Sequence, residues 1–565
     1  MIAEGLNPAL ILIIGGLLAP LLGGRVRAVF MLALPLLGIV QLCGMDYGTG
    51  SLVQLFQLNL ITLRLDGLSF AFALIFLIAS WLGVIYALHQ RDTMQDVAAL
   101  VYAGAAIGAT LAGDLVTLFI YWELTALGSV FLIWARRTER STQTGLRYLV
   151  IQIGSGVLLL AGAIIHLRAT GSIAFDHLGL DAPGGVLIFI AFGIKCAFPL
   201  LHNWLQDAYP EATVTGTVVL SAFTTKLAVY ALARGYAGTE ILIYIGATMT
   251  VFPIFFAVIE NDLRKVLSYS LNNQLGFMVA GIGVGTELAL NGTVAHAFCH
   301  ILYKALLFMS MGAVLFRVGT IKASELGGLY KSMPLTAAFC IVGSLSISAF
   351  PLFSGFVSKA LIMTAVLEEH YPVVWLALLF ASAGVLDHSG IKVPFFSFFY
   401  HDSGKRCAEA PTNMLVAMGI TAFSCVALGL FPQVLLYPLL PHAVDYTPYT
   451  LTHVLTQSQL LLFAALAFVT LMKTGLYPAE IPSVNLDFDW TYRKLLPAAS
   501  TRVWGVALRG WEAFNAGAVR RVEALIAVLS RHHGPQGLLA TTWPSGSMVL
   551  WAVLLLGVCL VFYYL

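Results

Sequence analysis

Ionisable residues recur inside apolar stretches of this 565-residue chain. A charge in such surroundings is costly and usually marks an ion path or a paired structural site. The most regular set is His296, His300 and Lys304, which are spaced four apart and therefore share one face of a helix. At 1.5 Å per residue, the set spans about 12 Å. Because imidazole changes its charge near neutral pH, two histidines leading to an amine indicate a path for protons.

Further ionisable residues lie in other apolar stretches, among them FIYWELTALGS, AFGIKCAFPL, SAFTTKLAVYAL and GVLDHSGIKVPFF. The predicted proton path is Glu123, Lys195, Lys226, His296, His300, Lys304 and Lys392, with Asp387, His388 and His202 as accessory positions. Two other interpretations stay open. The polar groups can be hydrogen-bonding contacts between helices, or static ion pairs of a scaffold. Buried lysines outnumber the clear intramembrane acids, and this excess favours transport.

The segments GIKCAFPL and GIKVPFF each place a lysine, Lys195 and Lys392, shortly before a proline. Proline disrupts a helix, and inside a membrane the freed backbone groups need partners in protein or in a water-filled cavity. Many transporters place their ion sites at such broken helices. We therefore expect two Pro-broken helices with a titratable lysine at each break, and Glu123 as the counter-charge of Lys195. Comparable intervals from Glu123 to Lys195 and from Lys304 to Lys392 predict an internal structural repeat.

The composition identifies the environment of these groups. The chain is 59% hydrophobic and 10% charged, whereas soluble proteins carry roughly 25% charged residues. Apolar stretches recur to the end of the chain and predict a multi-pass membrane protein with about sixteen transmembrane helices. The alternating residues 52–66 predict a short extramembrane strand or hairpin. The first apolar stretch lacks a charged region and a cleavage site before it, so we expect it to be retained.

The positions of lysine and arginine predict the orientation. With the N-terminus outside, most basic residues between the apolar stretches fall on the inner side, as the positive-inside rule requires. The outer side then receives Arg64, Arg168, Arg234 and Lys359.

Residues 473–545 interrupt the series of apolar stretches. Trp504, Leu508 and Trp511 alternate with charged residues such as Arg502 and Arg509 at roughly helical spacing. This pattern favours an amphipathic helix on the inner membrane surface or along neighbouring subunits, and the alternative is a solvated linker before the last span.

Several chemistries find no support in the sequence. The seven cysteines are scattered, and no pair has the spacing of an iron–sulfur or zinc site. No glycine-rich dinucleotide fingerprint and no phosphate loop is visible. We therefore expect no cofactor and no metal site, and an ion-transporter subunit rather than an enzyme. Redox or nucleotide chemistry would belong to a partner.

Residues 65–435 carry motifs that resemble the Mrp-type sodium/proton antiporter subunits and the antiporter-like proton-pumping subunits of respiratory complex I. The motifs are DLVTLFIYWEL, GIKCAFPLLHNWLQDA, TTKLAVYAL, DLRKVLSYSLNNQLGFM, HAFCHILYKALLF and FPLFSGFVSK. The tail, with EAPTNMLVAMGI and NLDFDW, is similar to the long form of the D-type Mrp subunit. The chain departs from the common pattern at Gln206, Asn272 and Asn273.

The resemblance implies an all-α fold with two inverted five-helix repeats, each containing a broken helix. The expected division has N-terminal helices and a hairpin in 1–95, repeats in 96–234 and 240–400, C-terminal helices in 401–472, the amphipathic segment in 473–545 and a final helix in 546–565.

The resemblance also implies a function. The expected protein moves H+ along the buried residues, in exchange for Na+, as one subunit of a hetero-oligomeric complex in a bacterial plasma membrane. Its expected partners are the lipid bilayer and other integral membrane subunits, and nucleic acid is not among them. The alternative is an energy-coupling, proton-pumping subunit of a complex I-like redox complex or of an inorganic-carbon uptake complex.

Overall fold

The computed structural model describes residues 7–55, 57–482 and 485–565. The chain divides into two compact units, Met1–Asn485 and Leu486–Leu565. Three parts of the predictions lie outside the described residues: the N-terminal residues 1–6, Phe56 of the predicted hairpin segment, and residues 483–484 of the predicted amphipathic segment.

The first unit is built from helices and one β-hairpin. Its helices are α1 (Pro8–Leu18), α2 (Gly24–Cys43), α3 (Gly67–Ala87), α4 (Thr93–Leu111), α5 (Leu115–Trp134), α6 (Glu139–Thr170), α7 (Gly185–Lys195), α8 (Asn203–Ala208), α9 (Val214–Ala222), α10 (Thr224–Gly235), α11 (Ile241–Ile259), α12 (Leu263–Val284), α13 (Glu287–Val318), α14 (Pro334–Ile347), α15 (Ser354–Glu368), α16 (Pro372–Val385), α17 (Lys392–Pro394), α18 (Thr412–Leu430), α19 (Pro432–Leu435) and α20 (Leu451–Thr474). Its strands are β1 (Gly48–Leu55) and β2 (Leu58–Leu65), which pair antiparallel. Of the strand or hairpin predicted for 52–66, the hairpin is observed, and it begins at Gly48.

The helical membrane fold is confirmed. Twelve helices of the described chain are long and apolar enough to cross a membrane, and shorter apolar helices lie at Pro8–Leu21, Gly185–Lys195 and Pro334–Ile347. The expected number of about sixteen spans is not confirmed. Helix α12 is not among the twelve, because Asn272, Asn273 and Gln274 reduce its hydropathy although all three side chains are buried.

Two sets of three consecutive helices match in order, and two of the three pairs match in length. Helices α4 and α11 have 19 residues each and α6 and α13 have 32 each, and the members of each pair begin 148 positions apart, at 93 and 241 and at 139 and 287. Asp114 caps α5 and Asp262 caps α12, each with its carboxylate. The backbones of the two capping residues also form equivalent isolated antiparallel β-bridges, Asp114 with Ala174 and Asp262 with Lys322. Such agreement is the geometry expected of an internal repeat.

Each set is followed by a helix that breaks at the sequence Ala-Phe-Pro-Leu. Helix α7 ends before Ala197 and α14 ends before Ala349. At these breaks φ is 60° for Ala197 and 70° for Leu200, and 57° for Ala349 and 78° for Leu352. Because side chains disfavour positive φ, the surrounding helices must hold both breaks in place. The breaks leave helix-terminal carbonyls without partners in their own helices, inside the protein.

The second Gly-Ile-Lys segment does not break its helix, so the break predicted at Pro394 is wrong. The π-helical segments Leu386–Ile391 and Phe395–Phe399 flank α17, and the chain continues as one span from Pro372 to Phe399. The wider π turns change the backbone hydrogen-bond partners locally. The missing N–H donor of Pro394 therefore does not interrupt the helix. The second break lies earlier, between α14 and α15.

The second unit contains α21 (Leu496–His533) and α22 (Ser545–Tyr564). Helix α21 has 38 residues, and its apolar side chains, including the stacked pair Trp511 and Phe514, are exposed. The helical alternative predicted for this segment is therefore observed, and its location at the membrane surface stays a prediction. Helix α22 is apolar along its length and suited to span a membrane.

Candidate proton path

Lys195 is the last residue of α7, at the edge of the first helix break, and it is fully buried. Its Nζ donates to the Trp122 carbonyl at 2.6 Å and to Thr125 Oγ1 at 2.8 Å, and it lies 4.4 Å from the centroid of the Trp122 ring. A carbonyl, a hydroxyl and an aromatic face stabilise an ammonium without a formal counter-charge. The amine therefore keeps partners in either protonation state.

Glu123 lies on α5 between the two partners of Lys195, but its carboxylate does not contact the amine directly. No ion pair joins Glu123 and Lys195 within the described residues, and Glu123 Oε1 has no hydrogen-bond partner among them. The carboxylate lies against Gly156 of α6, where an added Cβ would overlap Oε1. Glu123 and Lys195 interact electrostatically without a direct ion pair, as a counter-charge at longer range would. Gly156 provides the space for the acid.

Lys226 occupies the first turn of α10 and is fully buried. Its Nζ donates to the Ser221 carbonyl at 2.7 Å. That carbonyl belongs to the last turn of α9, where carbonyls lack partners in their own helix. The interruption between α9 and α10 therefore creates the acceptor that holds this amine.

His296 and His300 lie on α13 with ring centroids 6.2 Å apart, and both are fully buried. Nδ1 of His296 lies 2.9 Å from Ser358 Oγ, and its Nε2 lies 3.4 Å from the Tyr303 hydroxyl. Neither ring nitrogen of His300 has a hydrogen-bond partner among residues 7–55, 57–482 and 485–565. A buried imidazole with open nitrogens can accept a proton at one and release it from the other.

A continuous chain of side-chain hydrogen bonds runs from Lys304 to His388. Lys304 Nζ donates to Ser270 Oγ of α12 at 2.8 Å. Ser389 Oγ donates to the same Ser270 oxygen at 2.7 Å, and His388 Nδ1 lies 2.8 Å from Ser389 Oγ. All four residues are fully buried. Because a hydroxyl both donates and accepts, the chain can pass a proton once its O–H groups rotate toward His388. Each hydroxyl then releases its own proton to the next group as it accepts one from the previous group.

Lys392 follows His388 by one helical turn and ends the predicted path. Its side chain is fully buried, and Nζ donates to the carbonyls of Val258 at 2.6 Å and Glu260 at 2.8 Å, where α11 ends. The same Nζ lies 2.8 Å from Oε1 of Glu480. Unlike Lys195, this amine therefore has both carbonyl partners and a direct counter-charge.

Lys359 is buried within α15, so its predicted placement on the outer side is wrong. Its Nζ donates to the Ile347 carbonyl at 2.9 Å and lies 5.0 Å from the centroid of the Phe277 ring. Ile347 precedes the second helix break as Lys195 precedes the first. The amine at the second break therefore comes from α15, the helix after the break, whereas Lys195 belongs to α7, the helix before the first break. The positive-inside rule does not detect this, because it concerns residues in loops.

The other two accessory positions are Asp387 and His202. Asp387 precedes His388 in the π segment, and its Oδ1 is buried without a hydrogen-bond partner in the described part of the chain. His202 is buried after the first break, with its ring 4.7 Å from that of Phe252. The departures from the family pattern are also buried, and Asn273 donates to the Thr250 carbonyl on α11.

Sequence reasoning missed the uncharged and distant members of the site. Ser270, Ser389 and Ser358 give no signal, because serine is a frequent contact residue between membrane helices. Glu480 lies after the last apolar helix of the first unit, in the sequence YPAEIP. The only available signal was an acid between two prolines.

These observations define a class: a multi-pass helical membrane protein with interrupted helices and a buried series of amines, imidazoles and a carboxylate. The chain belongs to the NADH:quinone oxidoreductase/Mrp antiporter transmembrane family, whose pattern matches residues 112–385.

Known proteins support this assignment. The chain is 31% identical to the D-type subunit of the Na(+)/H(+) antiporter of Alkalihalophilus pseudofirmus over 52% of this chain and 63% of that protein. It is 30% identical to the N-type subunit of the NADH-quinone oxidoreductase of Desulforudis audaxviator over 60% of this chain and 74% of that protein. The Mrp complex from Dietzia sp. DQ12-45-1b shares the fold, with a TM-score of 0.77, 23% identity, and coverage of 92% of this chain and 62% of that chain. The chain spans 41–63% of the length of several curated relatives.

Proposed function

We propose that this chain is the proton-translocating subunit of an Mrp-like cation/proton antiporter, corresponding to its D-type subunit, and that it exchanges H+ for Na+. The observation that carries the proposal is the hydrogen-bonded chain from Lys304 through Ser270 and Ser389 to His388. A scaffold has no need of a buried chain whose members can all donate and accept protons. The proposed path is Glu123, Lys195, Lys226, His296, His300, Lys304 and Lys392.

The proposed path has two halves, 96–234 and 240–400. Each half contains a helix break with a buried amine beside it, Lys195 in the first and Lys359 in the second. A charge on one amine raises the energy of a charge on its neighbour, so the protonation states of successive groups are coupled. Uptake of a proton in one half therefore favours release in the other.

The setting of the proposal is a hetero-oligomeric complex in a bacterial plasma membrane, with the N-terminus outside. The distribution of arginine and lysine supports that orientation. The exposed apolar side chains of α21 support a location against lipid or against other integral membrane subunits.

A second candidate function is proton pumping in a redox complex. The similarity to an N-type subunit of a NADH-quinone oxidoreductase favours it, because that relative is covered over 74% of its length. In that case the same buried groups would move protons, and a partner protein would supply the electron transfer.

The test is to purify the chain with its native partners, identify them by mass spectrometry, and reconstitute the complex in vesicles with an internal pH dye. The proposal predicts that Na+ dissipates an imposed pH gradient and that choline, at the same ionic strength, does not. Equal responses to both cations would contradict antiport. Redox partners, with proton movement only when an electron donor is added, would establish the second candidate.

A further inference from the structure

The segment that follows α20 places a carboxylate inside the first unit. Residues 475–485 contain no helix or strand in their described part, and Pro478 and Pro482 flank Glu480 closely. Proline fixes its own φ and restricts the preceding residue, so this short stretch is pre-organised without secondary structure. Only 7% of the Glu480 side chain is exposed. Burial of an acid on an irregular segment requires a specific partner.

That partner is Lys392, the last amine of the predicted path. The 2.8 Å contact joins two side chains that are 0% and 7% exposed, so the pair is almost completely removed from water. The desolvation cost makes such a pair weak evidence for stability. A role in function is the better explanation of a carboxylate brought to a lysine that already has two carbonyl partners.

The pair adjoins a second group of polar residues that reaches the surface. The Glu260 carboxylate lies 2.8 Å from Lys265 Nζ, whose side chain is 29% exposed, and it accepts a hydrogen bond from Asn485 at 3.2 Å. The backbone carbonyl of the same Glu260 binds Lys392. A single residue therefore links the buried amine to an exposed one, and Asn485 anchors the segment that carries Glu480.

Glu480 can carry a proton. Burial raises the pKa of its carboxyl group, and the neighbouring Lys392 only partly opposes this rise. The charged groups that face it are Lys392, Glu260 and Asp387. Its Oε2 has no hydrogen-bond partner among the described residues, so one oxygen is open to protonation while the other faces the amine.

We propose that Glu480 is the terminal proton carrier of the second half and exchanges protons between Lys392 and water at the inner surface beside Lys265. The proposal rests on the proposed function of the chain. When this relay releases a proton to the inner surface, an N–H bond of the Lys392 ammonium breaks and an O–H bond forms on Glu480. This transfer leaves a neutral amine and a neutral carboxylic acid. The acid then releases its proton to water and becomes a carboxylate again. The reverse sequence loads the path.

The test compares Glu480→Gln, which keeps the shape but cannot exchange a proton at neutral pH, with Glu480→Asp, which keeps the acid. We expect about a 100-fold loss of cation-dependent proton flux for Glu480→Gln, the magnitude typical of a lost proton-transfer group. Glu480→Asp should retain a measurable part of the flux. Glu368→Gln, an exposed acid at the end of α15, is the matched control and should be unchanged.

A different result is expected if Glu480 is only a counter-ion of Lys392 and never exchanges protons. Such a counter-ion would leave flux in Glu480→Gln within a few-fold of the wild type, or reduce Glu480→Asp as much as Glu480→Gln, and either result overturns the proposal. If wild-type complex shows no cation-dependent flux, the proposed function fails. If wild type transports, Lys304→Met does not, and Glu480→Gln does, only the role of Glu480 fails.

A measurement on the wild-type complex covers the case in which the variants do not assemble. A hydrophobic carbodiimide modifies carboxyl groups that are protonated in apolar surroundings. Mass spectrometry should find Glu480 modified, with less modification as the pH rises. Absence of modification at both acidic and alkaline pH would show a permanently ionised carboxylate and would overturn the proposal.

Discussion

Replacement of Lys304 with methionine is expected to reduce cation-dependent proton flux by at least about 100-fold. The amine begins the hydrogen-bonded chain to His388, and methionine fills similar space without a titratable group. Ser270 keeps Ser389 as a partner, so the loss should not unfold the protein. The measurement is the initial rate of dye-detected pH change in everted vesicles, normalised to the amount of this chain in the membrane.

Lys473→Met provides the control for that variant. Lys473 lies in the last turn of α20 and is exposed, so its removal deletes the same charge away from the path. We expect its flux to equal that of the wild type. Normal flux in Lys304→Met would mean that the chain from Lys304 does not carry protons.

Replacement of Gly156 with alanine is expected to reduce proton flux about 10-fold or more without removing any ionisable group. A Cβ at this position would overlap Oε1 of Glu123 and displace its carboxylate from α6. The side chain can rotate away, so we expect normal amounts of protein in the membrane. The effect should approach that of Glu123→Gln when both are assayed in the same vesicles.

Gly154 offers a matched control on the same helix. An added Cβ there meets no atom within 4 Å, and Gly154→Ala should therefore transport normally. Equal flux in Gly156→Ala and wild type would show that the position of the Glu123 carboxylate does not matter for transport.

The membrane class, the hairpin and the shared face of His296, His300 and Lys304 are predictable because they depend on local sequence. Apolar length predicts a span, alternation predicts the strands, and a four-residue spacing predicts a common helix face. These signals need no knowledge of what packs against the element.

The second helix break and the partners of the lysines are not predictable in this way. Proline at 394 suggested a break, yet the π turns around it keep the helix continuous, and the Ala349 break lies earlier. The three-residue match Gly-Ile-Lys therefore did not mark equivalent positions. Glu480 and Ser270 reach the path from elements that are distant in sequence, and only the tertiary structure brings them together.

The central claim is that Lys195 and Lys304 act in one path, in series. The most direct test measures proton flux in Lys195→Met, in Lys304→Met and in the double variant, at equal protein content. Groups in series give single variants that each lose nearly all flux and a double variant that is no worse, because such effects are not additive. If each single variant kept about half of the flux and only the double variant lost it, the two halves would be parallel paths and the claim would be contradicted.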